Sequence, residues 1–485
     1  MISHITFPWA SKRPGRRAIL VALAALLLIR VILMIWLPIT DSTEARYAEI
    51  ARKMVETGDW ITPQFDYGVP FWGKPPLHSW VAALGMALFG VGAFGARLFI
   101  LAAALGVLAL LFGWAKRDHG STVAMAATAI CGSGVMFFGA AAFVMTDMVM
   151  CAGTTLSMVA FYRCAQGDRS IWGYLFFIGL GIGLLAKGPT AAVLTALPIL
   201  LWVAATARWR ALAALPWAGG VLLTLLLTLP WYISAELKTP GFLRYFLIGE
   251  HIERFLVPGW SGDLYGSGHF EPKGRIWVFG AAAFLPWSLA ALPLIARPRR
   301  LLNGGGQDSY LVCWMLGPLI LFTPAANILP AYCLPGLPAA ALLLVISWNR
   351  VFGLDNRVTA LAFGAGLVSA IGAFSLVTAL AVLTPDTLRL RSMKVLVDTA
   401  RHHDPQITFH SFGLRSFSAE FYTAGAVRQL PNPPNLHELS ANNRRDAVLS
   451  LAQNAPAAGA ALGPQFQLEM TTSRFALFLE KDNKP

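Results

Sequence analysis

Long apolar runs, broken by short polar or basic segments, dominate the chain up to about residue 383. The first extends from Ile19 to Pro38, directly after Lys12, Arg13, Arg16 and Arg17. It is longer than the apolar core of a signal peptide and lacks a small-residue cleavage site. It therefore reads as a retained first span with its N-terminal side in the cytoplasm. Basic clusters recur at Lys116–Arg117, Arg163–Arg169, Arg208–Arg210, Arg297–Arg300 and Arg350–Arg357. If each is cytoplasmic, an even number of crossings separates neighbouring clusters. Spans near 97–115, 121–142, 149–165, 171–186, 189–206, 212–231, 275–295, 309–323, 332–348 and 358–383 satisfy that rule. With the first run they predict an all-α polytopic membrane protein of about 11 helices, in a range of roughly 10–13, each near the length a bilayer requires. Residues 77–94 do not fit the parity and are expected as a helix lying in, or dipping into, the outer interface.

The same parity assigns residues 39–96, residues 232–274 and everything after about 384 to the outer side, with short outer turns near 143–148, 187–188 and 324–331. The tail, 384–485, has no run long enough to cross. Gln406–Phe412 and Arg474–Glu480 have strand patterning, Ser392–His402 and Ser416–Ala424 have helical patterning, and Pro431, Pro433 and Pro434 mark a loop. A small soluble α/β domain is expected there, after a transmembrane domain covering 1–383. No convergent acid/base set appears in the tail.

Composition agrees. Hydrophobic residues make up 56% and charged residues 13% of the chain, and 38 Lys and Arg against 25 Asp and Glu give a net charge of +13. Mean hydropathy is +0.59. This excludes a disordered, fibrous or purely soluble protein, and long unbroken runs argue against a barrel. The basic excess lies in the short loops, which favours membrane topology over nucleic-acid binding. The five cysteines show neither paired spacing nor histidine partners.

Chemistry-bearing residues cluster in the outer segments. Asp41, Glu44, Arg46 and Tyr47 follow the first span and suit the first turns of a helix, which a capped interfacial helix with solvated charges also explains. Further on, Lys74 precedes Pro75 and Pro76 at the mouth of an apolar segment, where a stiffened backbone would present a fixed cation to a phosphate. Thr146-Asp147 ends an apolar run, Lys187-Gly188-Pro189 breaks two of them, and an acid at such depth is functional by default, though an N-cap or a turn serves equally. Glu250, His251, Glu253 and Arg254 lead into Asp263, Tyr265, His269 and Glu271. Their spacing matches no compact zinc pattern, so no metal ligand is assigned, although a divalent ion stays possible. Gly90-Val-Gly92-Ala-Phe-Gly95 and Gly183-Leu-Leu-Ala-Lys187-Gly188 look like nucleotide motifs but lack the strand and helix context, and close helix packing explains both better.

Taken in order, the acidic and basic residues after the first span, Gly58-Asp59-Trp60, Lys74-Pro75-Pro76-Leu77, Thr146-Asp147-Met148, Lys187-Gly188-Pro189, Glu250-His251 with Arg254-Phe255, and Leu329–Pro335 resemble the bacterial aminoarabinose transferase and protein-mannosyltransferase-like superfamily. These are membrane glycosyltransferases of the GT-C fold, and the resemblance covers roughly residues 40–340. It implies a polyprenyl-phosphate sugar donor, usually on undecaprenyl phosphate, and an active site on the periplasmic face of the bacterial inner membrane. The acceptor it implies is lipid A, lipopolysaccharide, another envelope glycan or a protein. It implies Asp41 as the catalytic acid position, Lys74 as the lysine that meets the donor phosphate, Asp147 as the second outer-loop aspartate and Tyr332 as the later aromatic. Glu44, Arg46, Tyr47, Lys187, Glu250, His251, Arg254 and His269 complete the expected substrate-binding set. Two positions depart from the aminoarabinose pattern: Gly73 replaces a glutamate and Ile328 a basic residue, which removes a metal ligand and a phosphate contact. A monomer working with membrane lipids and no nucleic acid is expected. The rival from another class is a lipid or sugar transporter or flippase, which would need ionisable groups near the bilayer midplane.

Overall fold

The computed structural model describes residues 15–168, 171–258, 260–266, 269–295, 306–354, 356–384, 388–430, 439 and 444–481. Arg169, Arg297–Arg300 and the Pro431–Pro434 loop lie outside them. Among the described residues, seven helices are long and apolar enough to cross a membrane: Arg16–Trp36, Ala93–Ser133, Thr146–Ala165, Pro189–Thr206, Trp217–Lys238, Pro330–Phe352 and Arg357–Leu383. The pair Arg275–Ala283 and Trp287–Leu294, bent by 106°, makes an eighth if it is one span. The chain is thus a mostly helical, multi-pass membrane protein.

The finer expectation of eleven spans is not reached at that length. Ile171–Lys187 and Gly306–Phe322 have 17 residues each. The spans expected at 97–115 and 121–142 correspond to two helices within Ala93–Ser133 that meet at a non-helical kink at Gly120, where φ is 82°. A short helix, Val135–Ala140, follows it. Residues 77–94 form the 13-residue helix Leu77–Phe89, ended by Gly90.

Small residues set the closest approaches. A Cβ on Gly85 would sit 2.1 Å from the carbonyl of Gly95, so two glycines let Leu77–Phe89 lie against the start of the next helix. Gly153 and Gly179 do the same for Thr146–Ala165 and Ile171–Lys187. Deeper in the bundle, Trp114, Trp202, Tyr310 and Trp314 are fully buried. Tyr310 keeps its hydroxyl satisfied by donating to the Met158 carbonyl at 2.7 Å.

The segment after the first span forms the helix Thr43–Thr57 and a hairpin of β1 (Gln64–Asp66) and β2 (Val69–Pro70). The tail forms a five-stranded sheet of β3 (Thr408–Phe412), β4 (Arg428–Leu430), β5 (Asp446–Leu451), β6 (Phe466–Thr471) and β7 (Phe475–Glu480), in the order β4-β3-β5-β7-β6. β3 pairs in parallel with β4 and β5, and β7 pairs antiparallel with β5 and β6. The helices Lys394–His403 and Phe417–Tyr422 fall where the sequence places them. The central strand β5 was not expected.

The sheet unit docks on Thr43–Thr57. Phe421 packs with Tyr47, Ala48 and Ala51, and the buried Lys53 reaches Glu420 at 3.4 Å and Glu49 at 3.5 Å. Arg415 pairs with Glu420 at 2.7 Å and Asp66 at 3.2 Å. Lys53 and Glu49 are buried in this seam, whereas Arg415 and Asp66 lie at its more exposed edge.

Candidate active site

One cleft, about 1000 Å³ with its open mouth included, gathers residues from five of the six segments that charge parity places on the outer side, 39–96, 143–148, 187–188, 232–274 and 324–331, with Thr190, Phe322 and Tyr332 just beyond them, whereas its lining includes no residue after 384. Arg46, Lys74, Lys187 and Arg254 line it, with the carboxylates of Asp147, Glu250 and Asp263. Four cations facing three carboxylates leave the cavity able to accept a further anion.

Pro75 and Pro76 end the hairpin and open the next helix, so Lys74 is held at a fixed corner. Its Nζ donates to Glu250 Oε2 at 2.6 Å and to the Gly73 carbonyl at 2.5 Å. Arg254, one turn beyond Glu250, donates Nη1 to Glu250 Oε1 at 2.9 Å and lies 3.4 Å from Asp263. Glu250 therefore holds two cations side by side. Burial works to raise its carboxyl, but Lys74 and Arg254 outweigh burial and hold it below its ordinary range.

A second pair closes another wall. Lys187 Nζ donates to Asp147 Oδ1 at 2.5 Å and lies 4.1 Å from the centre of the Tyr332 ring. Both side chains are less than a tenth exposed. His251 places Nδ1 2.7 Å from the Phe246 carbonyl and Nε2 3.3 Å from the Lys187 carbonyl. A neutral ring can donate to only one of these, and the closer contact puts the proton on Nδ1. Burial, aided by the Lys74 charge, pushes the His251 pKa down. His269 sits at the rim, pushed down by burial and by Arg254 and Arg46.

Helical phase decides which residues of the first loop reach the cavity. Thr43, Arg46 and Tyr47, three and four residues apart, face it. Arg46 spans the Tyr47 and Phe71 rings and donates to the Tyr265 carbonyl at 2.7 Å. Glu44 points elsewhere: Arg97 grips both of its oxygens, at 2.7 and 2.8 Å.

Asp41 also lies outside the cavity lining, against the expectation that it shares a cavity with Lys74. Its carboxylate accepts from Ser416 Oγ at 2.7 Å, Ser418 N at 2.9 Å and Ser418 Oγ at 2.6 Å. The C-terminal unit has taken up both oxygens. Burial pushes the Asp41 carboxyl up, against these bonds.

Asp263, Tyr265 and Asn327 also line the cavity, outside the expected substrate-binding set. Asp263 anchors Arg254, Tyr265 bonds the Trp72 backbone N–H at 2.9 Å, and Asn327 donates to the Arg254 carbonyl at 2.7 Å. The buried Asn327 Oδ1 has no partner. Asp263 and Tyr265 lie in the polar loop that drew attention as a whole, whereas nothing local marks Asn327. Among the described residues no group of three or more His, Cys, Asp or Glu side chains is placed to hold a metal. Each cavity carboxylate faces a cation and Gly73 contributes no side chain, so the donor set does not fit a divalent ion.

Residues 12–246 match the family model of dolichyl-phosphate-mannose-protein mannosyltransferases. The chain is 32% identical, over 67% of its length and 57% of the relative's, to the undecaprenyl phosphate-alpha-4-amino-4-deoxy-L-arabinose arabinosyl transferase of Edwardsiella ictaluri. The enzyme of the same name from Pseudomonas aeruginosa strain PAO1 is 31% identical over the same shares. The chain thus spans little more than half the length of these curated relatives. In fold it is similar to the crystal structure of ArnT from Cupriavidus metallidurans bound to undecaprenyl phosphate. The TM-score is 0.77 at 17% identity, covering 97% of this chain and 99% of that one. The apo structure of the same protein gives 0.73.

Proposed function

We propose that this chain, a member of the GT-C superfamily of aminoarabinose transferases and protein-mannosyltransferase-like enzymes, is an integral-membrane glycosyltransferase. It moves a sugar from an undecaprenyl-phosphate or related polyprenyl-phosphate donor to lipid A, lipopolysaccharide or another envelope acceptor. The observation that carries this reading is the convergence of Lys74 and Arg254 on the single carboxylate of Glu250. Two cations spaced to share one carboxylate are spaced to share one phosphate.

In the reaction the bond between the sugar C1 and the phosphate oxygen breaks, and the acceptor oxygen bonds to C1. The polyprenyl phosphate leaves with the electron pair, and Lys74 and Arg254 neutralise the charge that grows on it. For a hydroxyl acceptor the proton passes to Asp147, which lines the cavity; an acceptor phosphate needs no base. His251, with its proton on Nδ1, packs beside Lys187 without adding a further charge. The chemistry gathers at one end of the bundle, which favours an enzyme over a transporter with midplane groups.

The cavity opens to the periplasm from the bacterial inner membrane, and the chain divides into a catalytic membrane part up to about residue 383 and a periplasmic α/β part from 384. The relatives' names support undecaprenyl phosphate as the carrier. The test is transfer from a synthetic undecaprenyl-phosphate sugar by purified protein in detergent. Lys74→Ala should lower turnover on the order of 10²–10³. Near wild-type turnover by a well-folded Lys74→Ala protein would overturn the assignment.

A further inference from the structure

The charged seam between the first loop and the tail encloses a second, polar cleft. It measures about 500 Å³ with its open mouth included and shares no residue with the active-site cavity. Lys53, Asp66 and Tyr67 line it from the first loop, and Ser411, Arg415, Glu420 and Gln429 line it from the tail. Charge cancels inside it. Lys53 lies 3.4 Å from Glu420 and 3.9 Å from Asp66, and Arg415 takes the same two carboxylates at 2.7 and 3.2 Å. An added anion or cation would have to break one of these pairs and strand a charge.

What the cleft offers a ligand is neutral. Ser411 lines it and is only 5% exposed, and neither its hydroxyl nor the side-chain amide of Gln429 has a hydrogen-bond partner among the described residues. A hydroxyl donates and accepts, and an amide has two donors and an acceptor, so the pair suits a ligand whose own groups do both. Tyr67 is exposed at the rim, its hydroxyl held by Glu56 at 2.6 Å, and its ring adds an apolar face. Neutral hydroxyls on a small ring with an apolar face are the chemistry of a sugar.

The cleft also lies next to the transfer site. Arg46 faces the active-site cavity, and Lys53, seven residues on, falls on nearly the same side of the helix, about 10 Å along its axis. Between them, Tyr265 of the cavity wall packs on Phe65 at 5.0 Å, and the Arg415 guanidinium lies 4.4 Å from the centre of the Phe65 ring. A glycan held in the cavity therefore has its next sugar units within reach of the cleft.

We propose that this cleft binds a neutral, unreacting sugar unit of the acceptor glycan while the group to be modified lies in the active-site cavity. The proposal rests on the reading that the acceptor is a glycolipid or another envelope glycan.

The test uses the full chain in detergent, titrated with lipopolysaccharide core oligosaccharide stripped of lipid and phosphate and read by saturation-transfer NMR. Wild type should bind it saturably. Ser411→Ala combined with Gln429→Ala removes the two unpartnered groups, leaves every ion pair of the seam intact, and should weaken binding at least tenfold at an unchanged thermal midpoint. Gln429→Ala alone, at an exposed position, should weaken it about threefold. Inorganic phosphate should not compete. Lys74→Ala should bind the oligosaccharide as wild type does while transferring poorly, so the two sites are read separately. Failure of wild type to bind, wild-type binding by both the single and the double variant, or competition by phosphate would overturn the proposal. Loss of binding in Lys74→Ala would place the sugar in the active-site cavity and overturn it too. Near wild-type transfer by Lys74→Ala, with sugar binding still lost in the double variant, would sink the active-site assignment and leave the cleft standing.

Discussion

Ser418 holds the carboxylate of Asp41 from its backbone N at 2.9 Å and its Oγ at 2.6 Å, across 377 residues of chain. With Ser416 as a third donor, Asp41 ties the exit of the first span to the C-terminal sheet unit. Asp41→Asn keeps the shape but replaces one acceptor with a donor, leaving a buried serine bond unmade at about 1–3 kcal/mol. The thermal midpoint should therefore fall, while turnover of the folded fraction at saturating donor stays within about threefold. A much larger drop in turnover at equal folding would place Asp41 among the reacting groups after all.

The Lys187–Asp147 pair makes a different demand. Removing one partner of a buried pair strands the other charge, at about 3–5 kcal/mol, whereas replacing both is far cheaper. Lys187→Met should thus destabilise strongly, and Lys187→Met combined with Asp147→Leu should recover most of the loss. Activity should stay low in the double variant, because the cavity has lost both groups. Denaturant or thermal unfolding read beside a transfer assay separates the two effects, and additive destabilisation in the double variant would show that the pair is not coupled.

Glu250 gives the pH dependence. Its carboxyl is held below its ordinary 4.5 in the folded protein, with burial opposing and Lys74 and Arg254 prevailing. The folded state thus binds this proton less readily than the unfolded state. Its stabilisation is fully present above pH 4.5 and is lost as pH falls through the lowered value. Thermal midpoints from about pH 7 down to about pH 3 should show a steeper acid limb for wild type than for Glu250→Gln. Parallel limbs would mean that the two cations do not govern this carboxyl.

Much of the site was legible because membrane segments advertise their exceptions: in a chain so poor in charge, Lys74, Asp147, Lys187 and the Glu250–Arg254 turn stand out. Their pairing was not legible. Lys74 meets Glu250 across 176 residues, and no local pattern encodes a partner at that distance. Asp41 was misplaced for a related reason. Ser416 looks like an ordinary N-cap, and it does cap its helix by accepting from Ala419 N–H. That it and Ser418 also seize a carboxylate from the first loop depends on how the tail docks. Charge parity gathers loops that do meet around one cavity, whereas the count of eleven is not established by length alone, because two helices run together through a kink at Gly120 and two others have only 17 residues. β5 escaped notice because Asp446–Leu451 is a short buried run without alternation.

Gly188 offers a test of how the two cation pairs are linked. It follows Lys187 and opens the helix Pro189–Thr206 with φ at +79°, and a Cβ there would lie 2.4 Å from the Phe246 ring and 3.3 Å from His251 Nε2. Phe246 is fully buried and belongs to the same π-helical turn as Glu250 and His251. Gly58, the left-handed cap of Thr43–Thr57, has a similar φ of +69° but open space where its Cβ would go. Gly58→Ala therefore meets only backbone strain, about 1 kcal/mol. Gly188→Ala meets a larger strain, because its ψ of −151° lies outside the left-handed helical region, together with a clash, and should cost about 2–4 kcal/mol in all. The clash also pushes Phe246 and with it the turn that carries Glu250, pulling the Lys74–Arg254 pair out of register. The KM for donor should then rise about tenfold in Gly188→Ala and stay near wild type in Gly58→Ala, with kcat less affected in both. Equal kinetics in the two variants would show that the Lys187 turn and the Glu250 turn move independently, and that the cation pair does not depend on Gly188 for its geometry.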